Sequence, residues 1–202
     1  MPPPLVYLVE DDSAVRDSLV WLFRKEGYEV EAYGSPAEIL SAYDQSKPGC
    51  LVLDLRLPEM TGIELRQKLI EQGCTHPFIM ITGHGDVPDA TRSMRMGAID
   101  FIEKPLDITL LLSRVREAIE ADLRQRREIM EHLSFRSRFE TLSPREREVL
   151  ELVVAGKLTK QIANQLEISI KTVEVHRSNI TRKMKVDNFI QLVRLYTEHQ
   201  AN

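Results

Sequence analysis

Apolar residues in the first half of the chain gather in short runs, and each run leads at once into a polar or reactive side chain. Leu5-Val6-Tyr7-Leu8-Val9 runs into Glu10-Asp11-Asp12, and Cys50-Leu51-Val52-Leu53 into Asp54. Pro77-Phe78-Ile79-Met80-Ile81 runs into Thr82, and Ile99-Asp100-Phe101-Ile102-Glu103 into Lys104-Pro105. Such runs, rich in β-branched residues and bounded by turn or helix signals, predict buried parallel strands. Tyr28 to Ala32 is a further short strand. Helical spacing fills the intervals. Val15, Leu19, Leu22 and Phe23 share one face of a helix from Ser13 to Glu26, which Gly27 ends. Ser35 caps and Pro36 starts a second helix. A third spans Thr61 to Glu71 before Gly73, a fourth Asp86 to Met96 before Gly97, and Asp107 caps a fifth. Strand and helix alternate, which predicts an α/β domain over residues 1–120: a doubly wound, five-stranded parallel sheet between two helical layers.

The pattern then changes. Glu117 to Arg138 contains no Gly or Pro and is dense in charge, so residues 121–139 read as an exposed helical linker. Ile119, Leu123, Met130 and Leu133 form a partial stripe that Arg126 interrupts, which leaves coiled-coil pairing as the alternative. Residues 140–202 read as an all-α, four-helix domain. Ser143 is an N-cap with Pro144 in the first helical position and Glu146 in the third, a capping box, and this helix stops at Gly156. Thr159 to Leu166, a break at Glu167-Ile168-Ser169, and a helix from Ile170 to about Met184 make a helix-turn-helix. Ile162, Ala163, Leu166, Ile168, Val173 and Ile180 are its core. Phe189, Leu192, Val193 and Tyr196 form an apolar stripe on a last helix, from Asn188 to about His199, either as core or as a surface for a second copy.

Composition adds limits. With 202 residues, 43% hydrophobic and 29% charged, the chain has the make-up of a soluble globular protein. No apolar run approaches the ~18 residues of a membrane span, and Met1-Pro2-Pro3-Pro4 lacks the form of a signal peptide. Two cysteines, Cys50 and Cys74, and scattered histidines fit a reduced, cytoplasmic compartment and give no zinc-type spacing. No G-x-x-x-x-G-K-[ST] loop is present, which excludes a P-loop ATPase. The net charge of −4 hides an asymmetry: −8 over residues 1–124 and +4 over residues 125–202. Lys157, Lys160, Lys171, Arg177, Arg182, Lys183 and Lys185 fall in a stretch whose only acids are Glu167 and Glu174. A charged helix face is ordinarily only solvated. Its coincidence with a helix-turn-helix points instead to the phosphates of nucleic acid.

In an open α/β sheet, ligands bind at the carboxyl ends of the strands, where the strand order reverses. Two acids, a hydroxyl and an amine would meet there, which suits Mg²⁺ and a phosphoryl group. A lone Asp at a strand end is usually a helix cap, and a lone Lys before Pro a surface residue. Asp11, Asp54, Thr82 and Lys104 together argue for a site.

These residues resemble a two-component response regulator of the FixJ/NarL type. The spacing of Asp11, Asp54, Thr82 and Lys104 is similar to that of a CheY-like, flavodoxin-like receiver. Val52-Leu53-Asp54-Leu55-Arg56-Leu57-Pro58, Ile81-Thr82-Gly83-His84-Gly85-Asp86-Val87 and Asp100-Phe101-Ile102-Glu103-Lys104-Pro105 look FixJ-like. Leu142-Ser143-Pro144-Arg145-Glu146 and Lys171-Thr172-Val173-Glu174-Val175-His176 resemble a LuxR-type DNA-binding domain. The resemblance implies that Asp54 takes a phosphoryl group from a sensor histidine kinase. It implies that Glu10, Asp11, Asp54 and the Arg56 carbonyl hold Mg²⁺, and that Asp12 only caps the following helix. Lys104 and Thr82 would grip the phosphoryl oxygens, and Lys104-Pro105 would be a cis bond that aims the amine inward. Phe101 would be an aromatic switch, against the plainer reading of core packing. His84 would be inert and Cys50 core.

On the output side, Glu174, Val175 and Ser178 share a face at the start of the recognition helix and would read base edges. Lys160, Lys171, Thr172, Arg177 and Arg182 would grip phosphates. The expected function is a cytoplasmic regulator, not a dedicated enzyme. It would dimerise on phosphorylation, bind promoter DNA and act, with RNA polymerase, on transcription, more as activator than repressor. A stand-alone phosphotransfer protein with a solubilising basic tail is the rival. A regulator whose receiver no longer takes phosphate is the second rival, opposed by the intact Asp54, Thr82 and Lys104.

Overall fold

The computed structural model describes residues 3–83 and 87–200. His84 and Asp86 lie outside them. The chain divides into two compact units, Met1–Arg127 and Glu128–Asn202.

Unit 1 is built on β1 (Leu5–Val9), β2 (Glu29–Tyr33), β3 (Gly49–Asp54), β4 (Phe78–Thr82) and β5 (Ala98–Glu103). These strands form one parallel sheet of order β2-β1-β3-β4-β5. β1, β3 and β4 are buried along their whole length, whereas β2 at the edge is exposed or half-buried throughout. That contrast is why the central strands read as continuous apolar runs. The helices are α1 (Ser13–Lys25), α2 (Pro36–Ala42), α3 (Gly62–Glu71), α4 (Val87–Arg95) and α5 (Ile108–Glu140). Each face of the sheet has its own core. Leu5, Tyr7, Leu51, Leu53 and Met80 point to one side with Ile39 and Leu65. Val6, Leu8, Val52, Ile79 and Ile81 point to the other with Phe23 of α1 and Val115 of α5. Cys50 is packed in this second core, as expected, and Cys74 is buried in the first.

The caps read from sequence are in place. Asp12 Oδ1 accepts the amides of Ala14 at 2.8 Å and Val15 at 3.2 Å. Ser35 caps α2 and Asp107 Oδ1 takes the Leu110 amide at 3.0 Å; Thr61, expected as the first residue of the third helix, instead caps α3 in a capping box with Glu64. Each closes a backbone donor that a helix start leaves unpaired.

The stretch read as an exposed linker is partly buried. Ile119 is core and Leu123 packs against it, so neither is available for a coiled-coil stripe. Asp122 is 1% exposed. Its Oδ2 accepts the Gly49 amide at 3.0 Å and Arg126 Nε at 2.7 Å. The Arg126 guanidinium also donates to the carbonyls of Gln45, Ser46 and Lys47 at 2.7 to 3.1 Å, and its Nη2 lies 2.9 Å from His76 Nε2. Charge density suggested solvent, but here the Asp122 carboxylate is buried because Arg126 and the Gly49 amide meet its charge. Residues 127–131 are exposed, as are Met130 and Leu133.

Unit 2 contains α6 (Pro144–Val154), α7 (Thr159–Gln165), α8 (Ile170–Met184) and α9 (Phe189–Gln200). Its core joins Phe135 from the end of α5 to Val149, Leu150, Ile162, Val173, Ile180, Met184 and Leu192. Phe189 and Tyr196 pack against this core, so most of the α9 stripe serves packing within the unit. The α6 capping box of Ser143 and Glu146 is formed. Between α7 and α8 the chain turns through Glu167 at φ 54°, the left-handed conformation that usually falls to glycine, and the Ile168 amide closes on the Ala163 carbonyl at 3.0 Å.

Candidate functional site

The order β2-β1-β3-β4-β5 reverses direction between β1 and β3, so the carboxyl ends of these two strands define the crevice. Glu10 follows β1 and Asp54 ends β3; their residues are 1% and 4% exposed. Asp11, beside Glu10, is exposed. Thr82 ends β4 and is fully buried. Lys104 follows β5, across a cis bond to Pro105. Its Nζ reaches back over the sheet to Asp54 Oδ2 at 2.5 Å and Glu10 Oε2 at 2.8 Å. Lys104, expected to aim its amine inward, is thus the cation of a buried pair of acids. The Arg56 amide donates to the other Asp54 oxygen, Oδ1, at 2.9 Å.

The electrostatics follow from the burial. Desolvation pushes the Glu10 carboxyl up from 4.5 to about 7; the Lys104 hydrogen bond opposes this, and the charge of Asp54 adds to it. Burial works against the charge of Lys104, but hydrogen bonds to Asp54 and Glu10 outweigh it and raise its pKa. Two buried carboxylates thus share the charge of one amine. Carboxylate oxygens of Glu10, Asp11 and Asp54 lie within 4.8 Å of one another, a grouping that fits a hard divalent ion such as Mg²⁺.

Two contributors were not anticipated from sequence. Arg16 Nη1 donates to the carbonyls of Glu10 at 2.7 Å and Asp11 at 3.1 Å, fixing the acidic loop. The signal available was an arginine placed on the first turn of the helix after the acids. Gly62 leaves no room for a side chain: a Cβ there would meet the Asp54 carbonyl oxygen at 2.2 Å and Met80 Sδ at 2.9 Å. That closeness draws the start of α3 onto the end of β3.

Phe101 is half-buried against the first core, a place consistent with packing and with a switch. The Arg56 side chain is largely exposed and lies 3.7 Å from Asp89 of α4.

In unit 2, Ser169 caps α8 by accepting the Thr172 amide at 3.0 Å, and its hydroxyl lies 2.7 Å from that of Thr172. Lys171, Glu174, Val175, Ser178 and Arg182 are exposed along one side of α8, and Lys160 on α7 is exposed too. Val175 is 53% exposed at the front of a helix that buries its other valine, Val173. Arg177 is half-buried instead. It stacks 4.6 Å over the Phe189 ring and donates to Thr159 Oγ1 at 3.2 Å, so part of its bonding capacity is used inside the unit. Lys183, counted in the basic face, turns inward to Glu146 Oε2 at 2.6 Å.

A parallel sheet of this order, with acids and a lysine gathered at its switch point, followed by a helix-turn-helix unit, defines a response regulator with a DNA-binding output. Comparison with known proteins agrees. Residues 6–116 match the family described as "Response regulator receiver domain", and residues 140–196 match "Bacterial regulatory proteins, luxR family". The chain belongs to this family: it is a two-component response regulator with a receiver and a LuxR-type DNA-binding domain. It is 42% identical over 190 residues to the transcriptional regulatory protein FixJ of Rhizobium meliloti, covering 94% of this chain and 93% of that protein. It is 41% identical over 191 residues to the response regulator protein TodT of Pseudomonas putida, covering 95% and 84%. Among solved structures, the response regulator StyR superposes with a TM-score of 0.87 at 37% identity, covering 97% of this chain and 99% of that one. Full-length FixJ from B. japonicum superposes with a TM-score of 0.61 at 36% identity, covering 98% of each. Among the described residues, no helix is long and apolar enough to cross a membrane.

Proposed function

We propose that Asp54 is the phosphoacceptor. The observation that carries this is Lys104 Nζ bonded at once to Asp54 and Glu10 at the switch point, which marks Asp54 as the strand-end carboxylate facing a fixed cation. Its carboxylate oxygen attacks the phosphorus of a phosphohistidine on a sensor kinase; the imidazole leaves, and an acyl phosphate forms. Glu10, Asp11 and Asp54, with the Arg56 carbonyl, hold Mg²⁺, which when bound offsets negative charge on the phosphoryl oxygens. Lys104 exchanges its Asp54 contact for a phosphoryl oxygen, Thr82 donates its hydroxyl, and Phe101 follows Thr82. The phosphorylated chain dimerises in the cytoplasm and binds a paired site in promoter DNA. Residues 140–202 form the DNA-binding part, 1–120 the receiver and 121–139 the connection. Glu174, Val175 and Ser178 meet base edges, while Lys160, Lys171, Thr172, Arg177 and Arg182 hold phosphates, with transcription by RNA polymerase activated as the outcome. The test is labelling by acetyl phosphate and Mg²⁺, read by intact mass. The wild-type chain gains one phosphoryl group and Asp54→Asn gains none; stable incorporation in Asp54→Asn refutes the assignment.

A further inference from the structure

Helix α5 is tied to strand β3 at Asp122, and the segment that leads into the helix is tied to the same strand at Lys104. Just before the helix begins at Ile108, Lys104 bonds Asp54, the last residue of β3. Further along, Asp122 accepts the amide of Gly49, the first residue of the same strand. The second tie is elaborate for a helix that sequence alone marks as solvated. Asp122 is buried and receives both the Gly49 amide and Arg126 Nε. The rest of the Arg126 fork is filled by the carbonyls of Gln45, Ser46 and Lys47 in the loop that leads into β3. Gly49 cannot carry a side chain, since a Cβ would meet the Leu5 carbonyl oxygen at 2.0 Å, so the strand start has no slack. The exposed stretch of α5 begins at the next residue, Arg127.

We propose that Asp122 and Arg126 are positioning residues for the response: a clasp that holds α5 against the start of β3 while the other tie, Lys104 to Asp54, changes with phosphorylation. The two ties sit at opposite ends of one strand, about 17 Å apart at the rise of an extended chain. A helix fastened at one point and moved at the other passes a displacement along its length; a helix loose at both dissipates it as fraying. This rests on the reading of Asp54 as phosphoacceptor. It adds residues remote from Asp54, to which the motifs of the sequence assign no role.

The test uses the full-length chain, Mg²⁺, acetyl phosphate and a duplex enriched from a random pool by the wild-type protein. Arg126→Met keeps the stem and removes the fork, and Arg126→Lys keeps the charge without the fork. Asp122→Asn keeps an acceptor for Gly49 and is carried in parallel in case Arg126→Met is too unstable to assay. Amide exchange over residues 118–127 is expected to quicken about tenfold or more once the clasp is broken. Labelling of Asp54 is expected to stay within about twofold of wild type, because the clasp lies at the far end of β3. The gain in DNA affinity on adding acetyl phosphate is expected to shrink at least about fivefold, with Arg126→Lys no better than Arg126→Met, since charge without the fork leaves most acceptors unfilled. A merely structural clasp would quicken exchange and leave that gain at its wild-type value, and this result overturns the inference. So does exchange that does not quicken. If the wild-type affinity itself ignores acetyl phosphate, the functional reading fails first, and the inference falls with it.

Discussion

Replacing Glu10 by Gln tests the electrostatics of the site without touching Asp54. Glu10 is 1% exposed, and burial beside Asp54 raises its carboxyl from 4.5 to about 7 despite Lys104. Below pH 4.5 both folded and unfolded chains hold this proton, and Glu10 costs nothing. Between 4.5 and 7 the unfolded chain has released a proton that the folded chain retains, so stability falls as pH rises. Above 7 the cost is complete. At 1.36 kcal/mol for each tenfold change in proton affinity it is at most about 3 kcal/mol. A glutamine amide mimics the protonated acid at every pH. Glu10→Gln is therefore expected to stabilise the metal-free chain at pH 8 by up to about 3 kcal/mol, with the gain shrinking towards zero at pH 4.5. Mg²⁺ should narrow the gap at pH 8, because it stabilises the wild-type carboxylates more than the variant. Urea unfolding from pH 4.5 to 8.5, with and without Mg²⁺, reads this directly. Trp21, the only tryptophan in the chain, lies in α1 and so reports unit 1. A variant no more stable than wild type at pH 8, or a difference that does not change with pH, refutes the account of Glu10.

Lys104→Met strands two buried carboxylates, so it is expected to destabilise the metal-free chain by about 2–4 kcal/mol and to lose the phosphodonor-dependent change in oligomer mass; wild-type stability without metal would contradict the geometry. Lys171→Ala should weaken binding to all duplexes alike and flatten the log–log salt slope by about one unit, whereas Glu174→Ala should relax preference at one base pair, worth ~1–3 kcal/mol. An unchanged consensus selected by Glu174→Ala would show that Glu174 reads no base. Burial opposes ionisation of Glu146, but hydrogen bonds from Lys183 and Ser143 prevail and lower its pKa, so it stabilises unit 2 above its ordinary value of 4.5 and loses that contribution as pH falls further. Lys183→Met should destabilise this unit by about 2–3 kcal/mol at pH 7 without altering the salt slope of DNA binding; a flatter slope would return Lys183 to the phosphate-binding face.

Much of this molecule is legible along the chain because local rules act locally. The all-apolar runs of β1, β3 and β4 are continuous since both faces of the sheet are covered. The caps at Asp12, Ser35, Asp107 and Ser143 are readable because a helix start leaves amides that only a nearby side chain closes. Asp54 and Lys104 could be named because strand ends of a doubly wound sheet converge by topology. What sequence could not reveal depends on partners distant in the chain. Lys104 holds two carboxylates at once, Asp54 and Glu10, because strand β5 carries it beside a residue of β3 fifty positions away. Lys183 turns from the basic face because Glu146 waits inside, and Arg177 spends part of its bonding capacity on Phe189 and Thr159. The same physical reason governs the linker. A charged helix is solvated by default; Asp122 is buried and Arg126 half-buried only because folding brings the Gly49 amide and three loop carbonyls within their reach. Pattern and spacing determined which elements form and which side chains carry chemistry; only the tertiary structure decided which charges find a partner, and hence which remain for ligand or DNA.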